Sequence, residues 1–140
     1  MCLRLWVVLF LMVSGPALAT GPGGVLYDCD MTEKRQGVGW ISDKIGIVIT
    51  NTAKVVVSDA VILQFYQRPL EGRLSRNNDR KLVVRWRLKN IVNGANQTTT
   101  AFDYTATITK ATNRITVYAN PDGYPNRFSG RGTCVLKTAN

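Results

Sequence analysis

The chain has no histidine. That removes the commonest general acid–base, the commonest metal ligand and the usual charge switch near neutral pH. Cysteine is scarce, with three in 140 residues, and one of these, Cys2, sits in a leading apolar segment. Two remaining thiols without histidine cannot fill a structural zinc site. Without histidine or a free thiol, a serine or threonine nucleophile would need a lysine or an N-terminal amine as its base, and no such arrangement is visible. Asp28 and Asp30 share a strand face, but nothing completes either a glycosidase pair or a calcium loop around them. No catalytic or cofactor motif stands out, so the expectation is a protein that is not an enzyme and holds no cofactor or metal. Acids are also few, nine against 18 bases, which gives a net charge of +9. A basic surface suits anionic partners, although net charge also serves solubility alone.

Long hydrophobic runs are missing except at the start. Arg4 precedes the run Leu5 to Val13, Ser14-Gly15-Pro16 breaks it, and Ala17-Leu18-Ala19 has the A-x-A form of a cleavage site. Residues 1–19 therefore read as a secretory signal peptide cleaved after Ala19, too short to span a bilayer. Thr20 follows the site where a lipoprotein would carry cysteine. Residues 20–140 contain no second such run and suit one domain with no transmembrane segment. The implied address is the periplasm or the exterior. In that oxidising setting, Cys29 and Cys134 are expected to form a disulfide that joins the two ends of the domain.

What is present is a series of short runs rich in Val, Ile, Thr and Tyr, separated by turn residues. Val25 to Met31 is the first predicted strand. Gly37 to Trp40 introduces a second segment, continued by Ile45 to Ile49 and turned at Asn51-Thr52-Ala53 into Lys54 to Asp59. Ala60 to Tyr66 fits helix or strand; a short helix is preferred because Asp59 can cap it and Pro69 follows. Leu70 to Ser75 and Lys81 to Lys89 form the clearest hairpin, with Arg76 to Arg80 as its loop. That loop predicts Leu74 opposite Leu82 inside and Glu71 opposite Arg85 outside. Asn93 to Thr100 reads as a polar loop. Alternating runs then follow over Ala101 to Ile108, over Ile115 to Ala119 and, after Asn120-Pro121-Asp122-Gly123, from about Arg127 to Leu136. About eight short antiparallel strands with linked ends predict an all-β, closed up-and-down barrel, with a two-sheet sandwich as the alternative. Gly130 and Gly132, on an inward face, suit a sharp bend or a large side chain crossing the strand.

The stretches Tyr27-Asp28-Cys29, Gly39-Trp40-Ile41, Val56-Val57-Ser58-Asp59, Pro69-Leu70-Glu71-Gly72 and Phe128-Ser129-Gly130-Arg131-Gly132-Thr133-Cys134 resemble a group of uncharacterised small exported proteins of Gram-negative bacteria. That resemblance implies a periplasmic address and carries no activity. The topology is also similar to that of lipocalins and other calycins, but lipocalins place G-x-W in the first strand. Here Trp40 follows Gly39 directly and belongs to the second segment, so lipocalin ligands do not transfer.

Two sets of residues are candidates for function. Arg73, Arg85, Arg87 and Lys89 should share the outer face of the basic hairpin, with Arg76 and Arg80 in its loop. Guanidinium pairs suit phosphate, sulfate or carboxylate, while the same charges also block edge pairing. No aromatics interleave with them, and export argues against nucleic acid, which is not expected as a partner. Tyr27, Trp86, Phe102, Tyr104 and Phe128 should point inward, either lining a pocket for a small apolar ligand or filling the core. The reading is an exported, non-enzymatic binding module for a small apolar ligand in the barrel or for an anionic polymer or lipid head groups on the hairpin. The alternative is an interaction or inhibitor protein that works through its loops, such as Tyr124-Pro125-Asn126-Arg127, around a filled core.

Overall fold

The computed structural model describes residues 23–35, 39–92, 95–96 and 98–139. The predicted signal peptide, residues 1–19, lies outside them, as does Gly37. Eight antiparallel strands close into an up-and-down barrel in chain order. They are β1 (Gly24–Arg35), β2 (Lys44–Thr50), β3 (Val55–Asp59), β4 (Leu70–Asn77), β5 (Lys81–Val92), β6 (Thr98–Thr109), β7 (Arg114–Pro121) and β8 (Phe128–Ala139), with one helix, α1 (Ala60–Tyr66), between β3 and β4. The barrel, not the sandwich, is the architecture. Several strands are longer than expected: β1 continues to Arg35, β5 to Val92, and β6 begins at Thr98 inside the stretch read as loop.

Cys29 and Cys134 face each other directly across the β1–β8 seam and form a disulfide. The bond locks the first strand to the last. The same seam explains the inward glycines. A Cβ on Gly132 would lie 1.9 Å from the Asp30 carbonyl oxygen, and one on Gly130 would lie 2.8 Å from Ile41 Cγ2. Gly132 therefore lets β8 approach β1 where its register shifts between Met31 and Glu33, and Gly130 makes room for Ile41 to enter the core.

Period-two alternation builds the interior. Along β5, Leu82, Val84, Trp86 and Leu88 are buried while Lys81, Arg85, Arg87 and Lys89 are exposed. The end of the barrel that carries α1 is closed by rings. Trp40, which lies in a turn and not in the second strand, stacks on Phe65 of α1 at 6.2 Å and on Phe102 of β6 at 4.2 Å. The Tyr104 hydroxyl donates to the Trp40 carbonyl at 2.9 Å and fixes that turn. α1 also compensates for a short β4. The β4–β5 pairing runs only from Arg73↔Arg85 to Asn77↔Leu82. Further along β5, the Tyr66 hydroxyl accepts from Lys89 N at 2.7 Å and donates to Lys89 O at 3.1 Å, standing in for a strand partner.

The helix start is the cap the sequence suggests. The Asp59 carboxylate accepts from Ile62 N at 2.7 Å, and Ser42 Oγ accepts from Val61 N at 3.2 Å. The stop is Gln67, in the left-handed conformation, with its N–H donating to Leu63 O. Burial raises the Asp59 pKa above the usual carboxylate value, against the opposing hydrogen bonds from Ile62, Val61 and Ser42. A raised carboxylate favours the neutral form in the folded state. Its stabilising contribution is therefore full below the unfolded value of about 3.9 and falls as pH rises from there through the folded pKa. Asp59→Asn keeps a capping acceptor and removes the charge. Its stability deficit against the parent, measured by urea unfolding across pH, should shrink as pH rises past the carboxylate range. Asp59→Ala should cost about 1 kcal/mol more than the asparagine variant, because the cap is gone. A deficit of Asp59→Asn that grows towards neutral pH would show that the ionised carboxylate stabilises the cap.

Candidate anion-binding face on β4, β5 and β6

The outer surface of β4–β5–β6 concentrates unpaired positive charge. Its register differs from the one expected. Arg73 lies opposite Arg85, Leu74 opposite Val84, Arg76 opposite Val83 and Asn77 opposite Leu82. Leu74 does not pair with Leu82, nor Glu71 with Arg85. Two causes combine. The turn is tighter than Arg76 to Arg80, because Asn78 Oδ1 accepts from Arg80 N at 3.0 Å and from Lys81 N at 2.8 Å, so β4 runs on to Asn77. The register also shifts between Leu74 and Arg76, leaving Ser75 as an extra residue. Simple alternation from the outward Arg73 would turn Arg76 inward. The extra residue instead sets it beside Val83, on the outer face.

Arg73 and Arg85 are thus like charges directly opposite on neighbouring strands, a destabilising placement when nothing neutralises it. Both line an open depression of about 830 Å³, with Glu71, Arg87, Asp103 and Thr105. A second depression of about 340 Å³ adjoins it, sharing Arg85 and Thr105 and adding Ser75, Arg76, Lys81 and Thr107. Among the described residues, Arg73, Arg76, Lys81 and Arg85 make no ion pair.

The other two predicted cations are placed differently. Arg87 Nη1 contacts Asp103 Oδ2 at 2.9 Å and Arg87 Nη2 contacts Asp122 Oδ2 at 3.1 Å, so its charge is answered and it ties the 122–127 loop to β5. Lys89 is exposed but lines neither depression. The structure brings Arg73 and Arg85 together and adds Arg76, expected in the loop, and Lys81, expected on the outward side of its strand.

The aromatic set forms one packed assembly at its centre. Trp86 stacks on Tyr104 at 5.1 Å, Phe102 lies 6.3 Å from Tyr104 and 6.2 Å from Phe128, and Trp40 stacks on Phe102. Tyr27 is buried, and Phe128 is half-buried. Desolvation raises the pKa of the buried Tyr104 hydroxyl, and the Asp59 charge adds to the effect. One polar atom in this assembly, Trp86 Nε1, is buried without a hydrogen-bond partner among the described residues. Tyr124, in the loop between β7 and β8, is 57% exposed, and Arg127 stacks over the Tyr118 ring at 3.8 Å.

Asp28 and Asp30 are engaged by lysines. Lys44 contacts both, at 3.2 and 3.1 Å, and Lys137 contacts Asp28 at 2.6 Å. Hydrogen bonds from Lys137 and Lys44 hold the Asp28 carboxyl below its usual pKa. Among the described residues no group of acids or cysteines is arranged to hold a metal ion, and no helix is long and apolar enough to cross a membrane. No family model matches the chain, and neither a characterised protein nor a solved structure is detectably similar to it.

Proposed function

We propose that the protein is an exported, non-enzymatic binding module that takes an anionic ligand on the outer face of β4–β5–β6. Residues 1–19 act as its signal peptide, and the periplasm or the exterior is its address. The resemblance to small exported Gram-negative proteins belongs to the same proposal. The observation that carries it is the direct opposition of Arg73 and Arg85, which both line an open depression, with no acid among the described residues paired to either. Two guanidinium forks on directly opposed strand positions suit a sulfate, phosphate or carboxylate, which would also relieve their mutual repulsion. Export supports the reading through the Cys29–Cys134 bond, which persists in oxidising compartments. The interior reading is the weaker one, since the inward rings pack on one another.

The test is binding to a sulfated polysaccharide, read by calorimetry across salt. Exposed charges are screened over about 8–10 Å at moderate ionic strength, so affinity should fall steeply as salt rises. Arg73→Gln/Arg85→Gln should lose most of the binding and leave the melting temperature level or slightly higher. Arg35→Gln/Arg131→Gln removes the same charge from β1 and β8, outside this face, and should change little. Equal losses from both pairs would reduce the effect to net charge.

A further inference from the structure

We infer that the ligand of this face is an extended acidic polysaccharide, lying along β4 and β5, and not a single small anion; the inference rests on the anion-binding reading above. Three features of the face support it.

The first is length. From Arg85 to Lys81 the strand advances about 13 Å at roughly 3.3 Å per residue. Arg73 and Arg76 flank that line on β4, paired opposite Arg85 and Val83. One sulfate or carboxylate can meet the Arg73–Arg85 pair, but it leaves Arg76 and Lys81 unused. Four cations with no ion pair among the described residues, in two depressions that share Arg85 and Thr105, suit a chain that carries charge at intervals.

The second is the device that builds the row. Arg76 reaches the outer face only because Ser75 is an extra residue in β4. Bulges re-aim side chains and are frequent beside functional sites. Here the bulge enlarges a positively charged surface that already opposes like charges, so solubility does not account for it. The row also has a definite end. Glu71 lies in the larger depression, and Asp103 and Asp122 already occupy Arg87 there, so negative charge closes that side.

The third is what else lines the face. Ser75, Thr105 and Thr107 offer hydroxyls, and Glu71 is a carboxylate acceptor for sugar hydroxyls. The large exposed hydrophobics, Val25, Leu63, Val92, Tyr124, Val135 and Leu136, line neither depression, so nothing there inserts into a bilayer. Trp86 and Tyr104 border the larger depression, but both are buried and stacked on each other, leaving no exposed ring on which a base could stack. A sugar chain with carboxylate or sulfate groups fits these surroundings better than a lipid surface or a nucleic acid.

The experiment titrates the full chain with a length ladder of heparin-derived oligosaccharides, from the disaccharide upward. Inorganic sulfate, anionic phosphatidylglycerol vesicles and single-stranded DNA are run in parallel. Affinity should climb with oligosaccharide length and level off once the row is filled. For the longest oligomer, the log–log salt slope should be about −3 to −4, as expected for roughly four cations each releasing a counterion. Arg76→Gln should lower that slope in magnitude by about one and weaken long oligomers about tenfold, while barely changing sulfate or disaccharide binding. Lys81→Gln, which leaves the bulge untouched, should do the same. Equal affinity for disaccharide and long oligomers, still abolished by Arg73→Gln/Arg85→Gln, would overturn the polymer and leave the anion site standing. Tighter binding to vesicles or DNA than to the oligosaccharides would overturn the polysaccharide. No binding of any anion, or equal losses from Arg35→Gln/Arg131→Gln, would overturn the anion site itself.

Discussion

Trp86→Ala should destabilise the protein by about 3–5 kcal/mol, read as a fall in the urea midpoint with an unchanged slope. Trp86 is only 4% exposed and stacks on Tyr104. Truncation would leave a void where the rings of β5 and β6 meet, and Tyr104 also anchors the Trp40 turn through its hydroxyl. The indole carries a cost of its own. Its Nε1 is buried without a partner, and an unmet buried donor costs about 1–3 kcal/mol. Trp86→Phe keeps a ring against Tyr104 and deletes the donor. It should therefore lose less than about 2 kcal/mol, clearly less than the alanine variant. Equal losses from the two variants would show that the indole N–H finds a partner in solution. Arg87→Ala, one position along on the opposite face, should cost no more than about 1 kcal/mol, because its two carboxylate contacts are exposed.

The alternation that places Trp86 inside is the part of the fold most legible in the chain. Apart from Val83, which takes an outward place, Lys81 to Lys89 switches between apolar and basic at every step, as a strand with one dry face does. The helix after Asp59 was readable for a different reason: an acceptor stands at the start, and Pro69 forbids continuation soon after. The β4–β5 register was not readable. A shift of two residues keeps every inward side chain inward, so Leu74 against Leu82 and Leu74 against Val84 satisfy the same pattern. The Ser75 bulge is quieter still, because no residue type marks it. With it went the placement of Arg76, and with Arg76 the length of the basic row. Trp40 was misplaced because a strand-like neighbourhood, Gly39-Trp40-Ile41, folds as a turn whose ring is held by Phe65 and Phe102, both distant in sequence. The acids on Arg87 have the same origin. Asp103 and Asp122 come from β6 and from the turn after β7, and only barrel closure brings them to β5.

Removing the disulfide should have the second large effect, and it tests the closure itself. Cys29 and Cys134 are 105 residues apart in sequence, so the bond constrains nearly the whole unfolded domain. In the chain-entropy model a loop of that order contributes roughly 4.7 kcal/mol, and the loss of native bridges from small secreted domains is typically about 2–5 kcal/mol. Cys29→Ala/Cys134→Ala should fall in that range. At roughly 4 °C per kcal/mol, the melting temperature should drop by about 8–20 °C. The double variant is preferred to Cys134→Ala alone, which leaves a buried thiol behind. Alkylation of denatured, unreduced protein followed by peptide mapping should label no thiol other than Cys2. The barrel should survive the double substitution, because β1 and β8 still pair from Gly24↔Ala139 to Arg35↔Ser129 around the missing bond. A far-ultraviolet spectrum unchanged at low temperature, together with the lowered midpoint, would show that hydrogen bonding closes the seam and that the disulfide mainly restricts the unfolded chain. Loss of the β spectrum at low temperature would show the opposite: without the covalent link, β8 does not return to β1 and the barrel does not close.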